Sequence, residues 1–391
     1  MIAFETALRL VRENAVLLGT ERVPLARALG RVLRRDVRSD VDMPPFDKSA
    51  MDGYACLRSD LPGPLELLET IPAGQRPSRK VGRRQCSKIM TGSMLPKGAD
   101  CVIMVEETET LADGRVRHAG KPGADNICRK GEDVKAGDLL VASGTLVTSK
   151  VVASLALAGC VKPLVSRMPA VGVLATGDEL VAPGVRPKGP QIRDTNSAQA
   201  LAQALQAGCS AKSFGIVPDR EADLDAAIEA AASGSDLLII TGGVSMGDFD
   251  LVPARLKAAG FDLLFEKVAV QPGKPTVFGR KGRKFVFGMP GNPVSSFIVF
   301  EYFVKELLAG MTGLARRARD PRFPLASDYR RRRADRLARV PVRLTREGAA
   351  QPVEYHGSAH VTSLAGADGV ISVPAGRTGL DKGELVDVRP I

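Results

Sequence analysis

Residues able to do chemistry gather in Asp236-Leu-Leu-Ile-Ile-Thr-Gly-Gly-Val-Ser-Met-Gly-Asp-Phe-Asp250. The apolar run that opens this stretch is too short for a helix and reads as a buried strand. Gly242 and Gly243 follow it. Two adjacent glycines let the backbone turn sharply and bring its N–H groups close to a bound group. Ser245 adds a hydroxyl, and Asp248 and Asp250 place two carboxylates beside the loop. Phe249 to Ala259 reads as the next helix. A strand, a glycine turn and a helix form a cradle for a phosphate or another oxyanion. Two acids beside such a cradle suit a divalent cation between them. Taken alone, the stretch reads equally well as a strand-to-helix turn with a capping Asp, because glycine loops are common.

More polar groups stand where other strands should end. Ala170 to Thr176 reads as a strand, with Asp178 and Glu179 just beyond it. Phe214 to Val217 is a second, followed by Asp219, and Phe285 to Phe287 a third, followed by Pro290-Gly-Asn-Pro293. In a parallel sheet the strand C-termini open onto one edge, where ligands bind. Pro293 suits a first helical turn, since the N–H it lacks would have no partner there. Lys267 and Lys274 supply positive charge. Two unpaired carboxylates about 6 Å apart repel by roughly 3 kcal/mol at an effective dielectric near 20. Acids converging on this edge must therefore take up protons, pair with Lys or bind a metal. The chain offers no Cys/His ligand set, so an oxygen-preferring ion such as Mg²⁺ is expected.

The elements that position these groups follow from periodicity. Residues 3–17 place Phe4, Ala7, Leu8, Val11 and Ala15 on one helical face. Leu25 to Leu33 reads as a second short helix behind Pro24. A loop from Asp42 to Ala55 carries Asp47, Lys48, Ser49 and Asp52, more polar groups than a connector needs. Residues 62–134 read as a small all-β module, and Ser149 to Ala158 as a helix. From Pro169, strands alternate with helices, one of them starting near Asp194-Thr-Asn-Ser197, which implies a three-layer α/β domain. Residues 340–391 alternate β-formers with turns and read as a small β barrel or sandwich. The expected division is a linker domain (1–41 with 135–166), an inserted β module (42–134), an α/β domain (167–315), and a basic linker with the C-terminal barrel (316–391).

The 391 residues carry 44% hydrophobic and 25% charged residues, as an ordinary globular protein does. Net charge is +11, and residues 316–346 hold twelve Arg against three Asp. Pro321, Pro324 and Pro341 break that run, so it reads as a solvated linker rather than a nucleic-acid arm. The absence of Trp argues against base stacking. Six unpaired-spacing cysteines imply free thiols in a reducing compartment, and His356 and His360 lack the helix a zinc pair would need. The N-terminus has no secretory pattern and no apolar run is long enough to span a membrane, so a cytoplasmic protein is expected.

Taken together the motifs resemble the molybdopterin molybdenumtransferases of the MoeA type, related to the E domain of gephyrin. The resemblance covers essentially the whole chain. It rests on Pro45-Phe-Asp-Lys-Ser-Ala-Met-Asp-Gly-Tyr-Ala55, Met90-Thr-Gly-Ser93, Pro96-Lys-Gly-Ala-Asp100 and Gly131-Glu-Asp133. Thr176-Gly-Asp-Glu-Leu180, Thr241-Gly-Gly-Val-Ser-Met-Gly-Asp248, Pro272-Gly-Lys-Pro275 and Pro290-Gly-Asn-Pro293 continue it in the family's order. The resemblance implies an Mg²⁺-dependent enzyme that takes molybdate and adenylylated molybdopterin and releases molybdenum cofactor and AMP. It implies catalytic roles for Asp52, Thr91, Glu179, Asp219, Asp250 and Lys267. The implied substrate contacts are Asp133, Asp194, Asn196, Gly242, Gly243, Ser245, Lys274, Pro290, Gly291, Asn292, Pro293 and Ser363, and the metal ligands come from Glu179, Asp219, Asp248 and Asp250. It also implies an elongated homodimer whose cleft joins one α/β domain to the partner's β module, with molybdopterin adenylyltransferase and recipient molybdoenzymes as further partners. Two departures remove positive charge: Cys128 stands where the family often has Arg, and Gln271 where it often has Lys, with Arg129 and Lys130 as the candidate substitutes. The alternatives are a molybdopterin adenylyltransferase, which has a different glycine loop and lacks the flanking β modules, and a molybdopterin-binding scaffold without transferase activity.

Overall fold

The computed structural model describes residues 1–121, 123–244, 251–315, 320–354, 357 and 359–391. Compactness divides the chain into two units. One comprises Met1–Arg35, Gly144–Thr148 and Leu164–Ile391; the other comprises Asp36–Ser143 and Ser149–Pro163.

The larger unit is built on a six-stranded sheet. We label its elements β1 (Ala170–Thr176), α1 (Asn196–Gln206), β2 (Ser210–Val217), α2 (Glu221–Ser233), β3 (Leu237–Thr241), α3 (Val252–Ala258), β4 (Asp262–Phe265), β5 (Val277–Lys281), β6 (Lys284–Met289) and α4 (Pro293–Val299). The strand order is β2-β1-β3-β6-β5-β4. The pairs β2/β1, β1/β3 and β3/β6 are parallel, while β5 runs antiparallel to both its neighbours. Side chains alternate between the two faces. Leu237 and Ile239 of β3 join the core on one face with Val171, Val173, Phe285 and Phe287. Leu238 and Ile240 join the other with Leu174 and Val286. All five residues of β3 are buried. A strand covered on both sides reads as a continuous apolar run, which explains why alternation is invisible in its sequence. Full burial of one such side chain contributes about 1.5–3 kcal/mol.

Two expectations need correction here. The residues from Leu25 to Leu33 form only a 3-10 turn, Leu25–Arg27, and the chain then makes bridges through Val32 and Leu33. The apolar residues from Phe265 to Val270 read in sequence as one strand, but the sheet strand ends at Phe265. The chain leaves the sheet there, Ile2 bridges Val268, and Val270–Gln271 pairs with Leu337 and Ala338 instead. Helix α4 continues through a π-turn at Phe300–Val304 into Lys305–Thr312.

Val270–Gln271, Leu337–Leu344, Ala350–Pro352, Gly369–Val373 and Arg389–Pro390 form a five-stranded sheet at the C-terminal end, alongside two-stranded pairings of Arg322–Pro324 with Leu385–Asp387 and Tyr329–Arg330 with Gly379–Leu380. The arginine run is therefore only in part a solvated linker: Arg322, Arg330, Arg332, Arg333, Arg343 and Arg346 are exposed, but Arg331, Arg336 and Arg339 are drawn into the fold. Arg331 donates to the carbonyls of Pro374, Arg336 and Arg377. Arg339 is buried with its guanidinium 4.3 Å from the Phe4 ring centroid and 3.9 Å from that of Tyr302. Arginine's planar fork suits it to carbonyl capping and ring stacking inside a fold.

The smaller unit holds a four-stranded sheet in the order Glu66–Ile71, Gln85–Ile89, Gly53–Cys56, Cys101–Met104. Its faces divide with the same period of two. Tyr54, Cys56, Cys86, Cys101 and Ile103 cluster on one side, and Ala55, Ile71, Ile89 and Val102 on the other. The helix Ser149–Leu157 belongs to this unit.

Candidate active site at the strand ends

In the larger unit, a cavity of about 250 Å³ opens at the C-terminal ends of β1, β2, β3 and β6. Its walls are Thr176, Gly177, Glu179, Asp219, Gly242, Gly243, Val244, Pro275, Pro290 and Gly291. The chain passes from β1 outward to β2 and then back across to β3, so the cavity lies at the switch point where α/β sheets bind ligands. Residues up to 115 positions apart in sequence thus meet on one rim.

Local chemistry explains each wall. Gly242 has φ +93°, and a Cβ there would collide with the Thr176 carbonyl oxygen. Gly243 has φ +62°, and its Cβ would sit 2.9 Å from a Val252 methyl and 3.1 Å from the Thr176 methyl. Only glycine permits this turn, which lets the backbone itself line the cavity. Gly291 comes within reach of the same turn: its would-be Cβ lies 4.0 Å from the Gly242 Cα. The Asn196 side-chain amide donates to the Gly291 carbonyl at 2.7 Å and so tethers this loop to the start of α1. Asp194 accepts from the Ser197 N–H at 3.0 Å, a helix-capping bond. Pro293 occupies the first turn of α4, with Asn292 as its cap residue. The side-chain oxygens of Asn196, Ser197 and Thr241 are buried without a hydrogen-bond partner from the described residues, and a buried unsatisfied oxygen costs about 1–3 kcal/mol.

The two described acids of the rim are Glu179 and Asp219. The Glu179 carboxylate folds back over Gly177, where a Cβ would meet it at 2.7 Å. Asp219 Oδ1 accepts a hydrogen bond from the Thr176 hydroxyl. The Asp219 N–H donates to Asp178 Oδ1 at 3.3 Å. Two carboxylates beside exposed backbone make an all-oxygen donor set. Mg²⁺ is commonly held by one or two carboxylates, with substrate phosphates and water completing its shell, so this pair fits such an ion. Among the described residues, no group of three or more His, Cys, Asp and Glu forms a ligand cluster. Ser245, Asp248 and Asp250, expected at this rim, lie outside the described residues.

Other expected residues stand elsewhere. Lys267 and Lys274 are not among the cavity walls, although Pro275 next to Lys274 is. The Ser363 hydroxyl donates to the His360 carbonyl at 2.6 Å on a short 3-10 helix, Val361–Gly366. In the smaller unit, Asp52 and Thr91 meet directly: the Thr91 N–H and hydroxyl donate to Asp52 Oδ1 at 2.6 and 2.7 Å. These bonds, the backbone one foremost, hold the Asp52 carboxyl below the usual carboxylate range. The N–H of Asp133 is spent on the Met43 carbonyl. Arg129 pairs with Asp47 at 3.2 Å and Lys130 with Asp42 at 3.3 Å, so the two candidate substitutes for the missing charge at Cys128 are already paired. Burial, followed by Glu132, raises the Cys128 thiol, so it stays protonated. Sequence reading does not single out Thr176 as a cavity wall. It is a polar residue closing an apolar strand, which is the signal that could find it.

This architecture defines a multidomain protein organised around an α/β domain of the molybdopterin-binding type. Residues 172–310 match the probable molybdopterin binding domain, residues 2–159 the MoeA N-terminal region (domain I and II), and residues 323–391 the MoeA C-terminal region (domain IV). The molybdopterin molybdenumtransferase of Bacillus subtilis is 35% identical over 392 residues, covering 94% of this chain and 89% of that protein. That of Haemophilus influenzae is 34% identical over 381 residues, covering 95% and 94%. The MoeA protein of Pyrococcus horikoshii OT3 superposes with a TM-score of 0.85 at 30% identity, with full coverage of both chains. The chain belongs to the MoeA family of molybdopterin molybdenumtransferases, and is an enzyme of that family.

Proposed function

We propose that the protein inserts molybdenum from molybdate into adenylylated molybdopterin, releasing molybdenum cofactor and AMP in an Mg²⁺-dependent step. The observation that carries this reading is the convergence of Glu179 and Asp219 with the Gly242–Gly243 turn and Pro290–Gly291 on one cavity. At about 250 Å³ the cavity is smaller than a pocket for a whole drug-sized ligand, so it takes the charged end of the substrate and not all of it. Glu179 and Asp219 hold the cation, with Asp248 and Asp250 as further donors. The cation, when bound, neutralises the adenylyl phosphate and polarises the P–O bond that breaks. The glycine turn lets the phosphate approach the backbone, and the Asn196 amide keeps the Gly291 loop against it. The dithiolene sulfurs belong to the substrate, so no cysteine of the chain acts as nucleophile. Asp52 and Thr91, with Asp133, Lys267, Lys274 and Ser363, serve the same reaction from the remainder of the chain. We propose further that the protein works as a cytoplasmic homodimer, in which the smaller unit of one copy completes the site of the other. It would receive substrate from a molybdopterin adenylyltransferase and pass product to molybdoenzymes.

The test is AMP release from adenylylated molybdopterin with molybdate and Mg²⁺, for the wild type, Glu179→Gln and Asp219→Asn. Losing a carboxylate that binds the charge-neutralising ion should cost about 10²-fold or more in rate, as removing one preorganised electrostatic group does elsewhere, with thermal unfolding nearly unchanged. Wild-type chain that binds molybdopterin yet releases no AMP would instead identify a scaffold.

A further inference from the structure

We propose that Thr176 is the positioning residue for Asp219: its hydroxyl fixes one carboxylate oxygen and so aims the other into the cavity. This rests on the reading above for its meaning, but not for its geometry. Thr176 closes β1, whose residues Val171–Ala175 are all buried and apolar or glycine. It is itself only 2% exposed. A buried hydroxyl needs a partner, and the usual one for a strand threonine is a nearby backbone carbonyl. Here the partner is the carboxylate of a residue 43 positions further on, at the end of the neighbouring strand β2. A hydrogen bond to a carboxylate is shorter and roughly twice as strong as one between neutral groups.

The same side chain is specified a second time. Its methyl group lies 3.1 Å from where a Cβ on Gly243 would stand, and its carbonyl abuts Gly242. One residue therefore holds β1, the glycine turn and Asp219 in register. Valine would keep the methyl and lose the hydroxyl; serine would keep the hydroxyl and lose the methyl. The two substitutions separate orientation of the acid from packing of the turn.

The experiment compares Thr176→Val and Thr176→Ser in the full chain by crystal structure, thermal unfolding and the Mg²⁺ concentration for half-maximal AMP release. In Thr176→Val the Asp219 side chain should rotate away from its wild-type position, and half-saturating Mg²⁺ should rise about tenfold, the loss of one hydrogen bond to a charged group. In Thr176→Ser the Asp219 position should be kept and the Mg²⁺ requirement should stay within about threefold, although the unfolding midpoint falls because the methyl is missing. Asp219 unmoved in Thr176→Val, or serine and valine raising the Mg²⁺ requirement equally, would overturn the proposal and leave Thr176 a packing residue. If wild-type protein releases no AMP, the functional reading fails on its own, and the crystal structures still decide whether Thr176 orients Asp219.

Discussion

Asp52 shows how a single residue can be poised without burial. It is exposed, yet the Thr91 N–H and hydroxyl both donate to Oδ1 and stabilise the ionised form. A carboxylate whose folded pKa is depressed contributes stability above its unfolded value and loses it as pH falls through the folded one. The clasp should therefore persist into acid where an ordinary Asp is already half protonated, then open. A carbon-detected NMR titration should place the Asp52 midpoint below the ordinary carboxylate value. Thr91→Val should move it upward only part of the way, because the backbone N–H is the larger cause. A midpoint at the ordinary value in the wild type would mean that the clasp does not form in solution. Cys128 sits at the opposite extreme. Burial and Glu132 raise its pKa, and the next two residues, Arg129 and Lys130, are paired with Asp47 and Asp42. A thiol held neutral in this way offers an anion no charge in place of the arginine common in the family.

Among the elements, the strand-to-helix turns carry the site, and their glycines are not equivalent. Gly242 pairs a left-handed φ with a collision against the Thr176 carbonyl, whereas a Cβ on Gly291 would make only an ordinary contact, 4.0 Å from the Gly242 Cα. Gly242→Ala should therefore cost roughly 1–3 kcal/mol in backbone strain alone, and more once the collision is added, read as a lowered denaturation midpoint. Gly291→Ala should leave the midpoint nearly unchanged while weakening substrate binding at the rim it narrows. Equal stability losses in the two variants would contradict this account of the turn. The same elements show what sequence could and could not convey. β1 and β3 are legible because strong apolar runs coincide with their ends; the sequence places β1 at Ala170 to Thr176, and it forms over those residues. The acids beyond β1 and β2 were legible as neighbours because parallel strands share one edge. The stretch after Phe265 was not, since its apolar residues Val268 and Val270 are buried by Ile2 and by the C-terminal sheet, and no local pattern records a partner more than 60 residues away. Arg331 and Arg339 escape sequence reading for a related reason. Composition says exposed, as Arg330, Arg332 and Arg333 are, but distant carbonyl groups take up Arg331 and two aromatic rings take up Arg339.

At the scale of the whole molecule, the candidate groups fall into both units. Asp52 and Thr91 belong to the smaller one, Glu179 and Asp219 to the larger. If the proposed homodimer builds each site from the smaller unit of one copy and the larger unit of the other, two inactive chains can repair each other. Asp52→Ala and Asp219→Asn would each inactivate both sites of their own dimer. In a hybrid, one site receives both substitutions and the other receives neither. Random reassortment of equal amounts in a twofold dimer makes about half the dimers hybrid, so co-refolded or co-expressed chains should recover about one quarter of wild-type AMP release. A site made within one chain gives a different result, because every site in the mixture then carries one substitution and activity stays at the level of the separate variants. Sedimentation on the same samples checks that hybrids form. Hybrid dimers without recovered activity would assign Asp52 and Asp219 to one chain's own cleft, and the Asp52 and Asp219 double substitution placed in one chain against a wild-type partner checks that assignment. A site within one chain leaves that hybrid one untouched site, at half activity. A shared site leaves it one substitution per site and no activity.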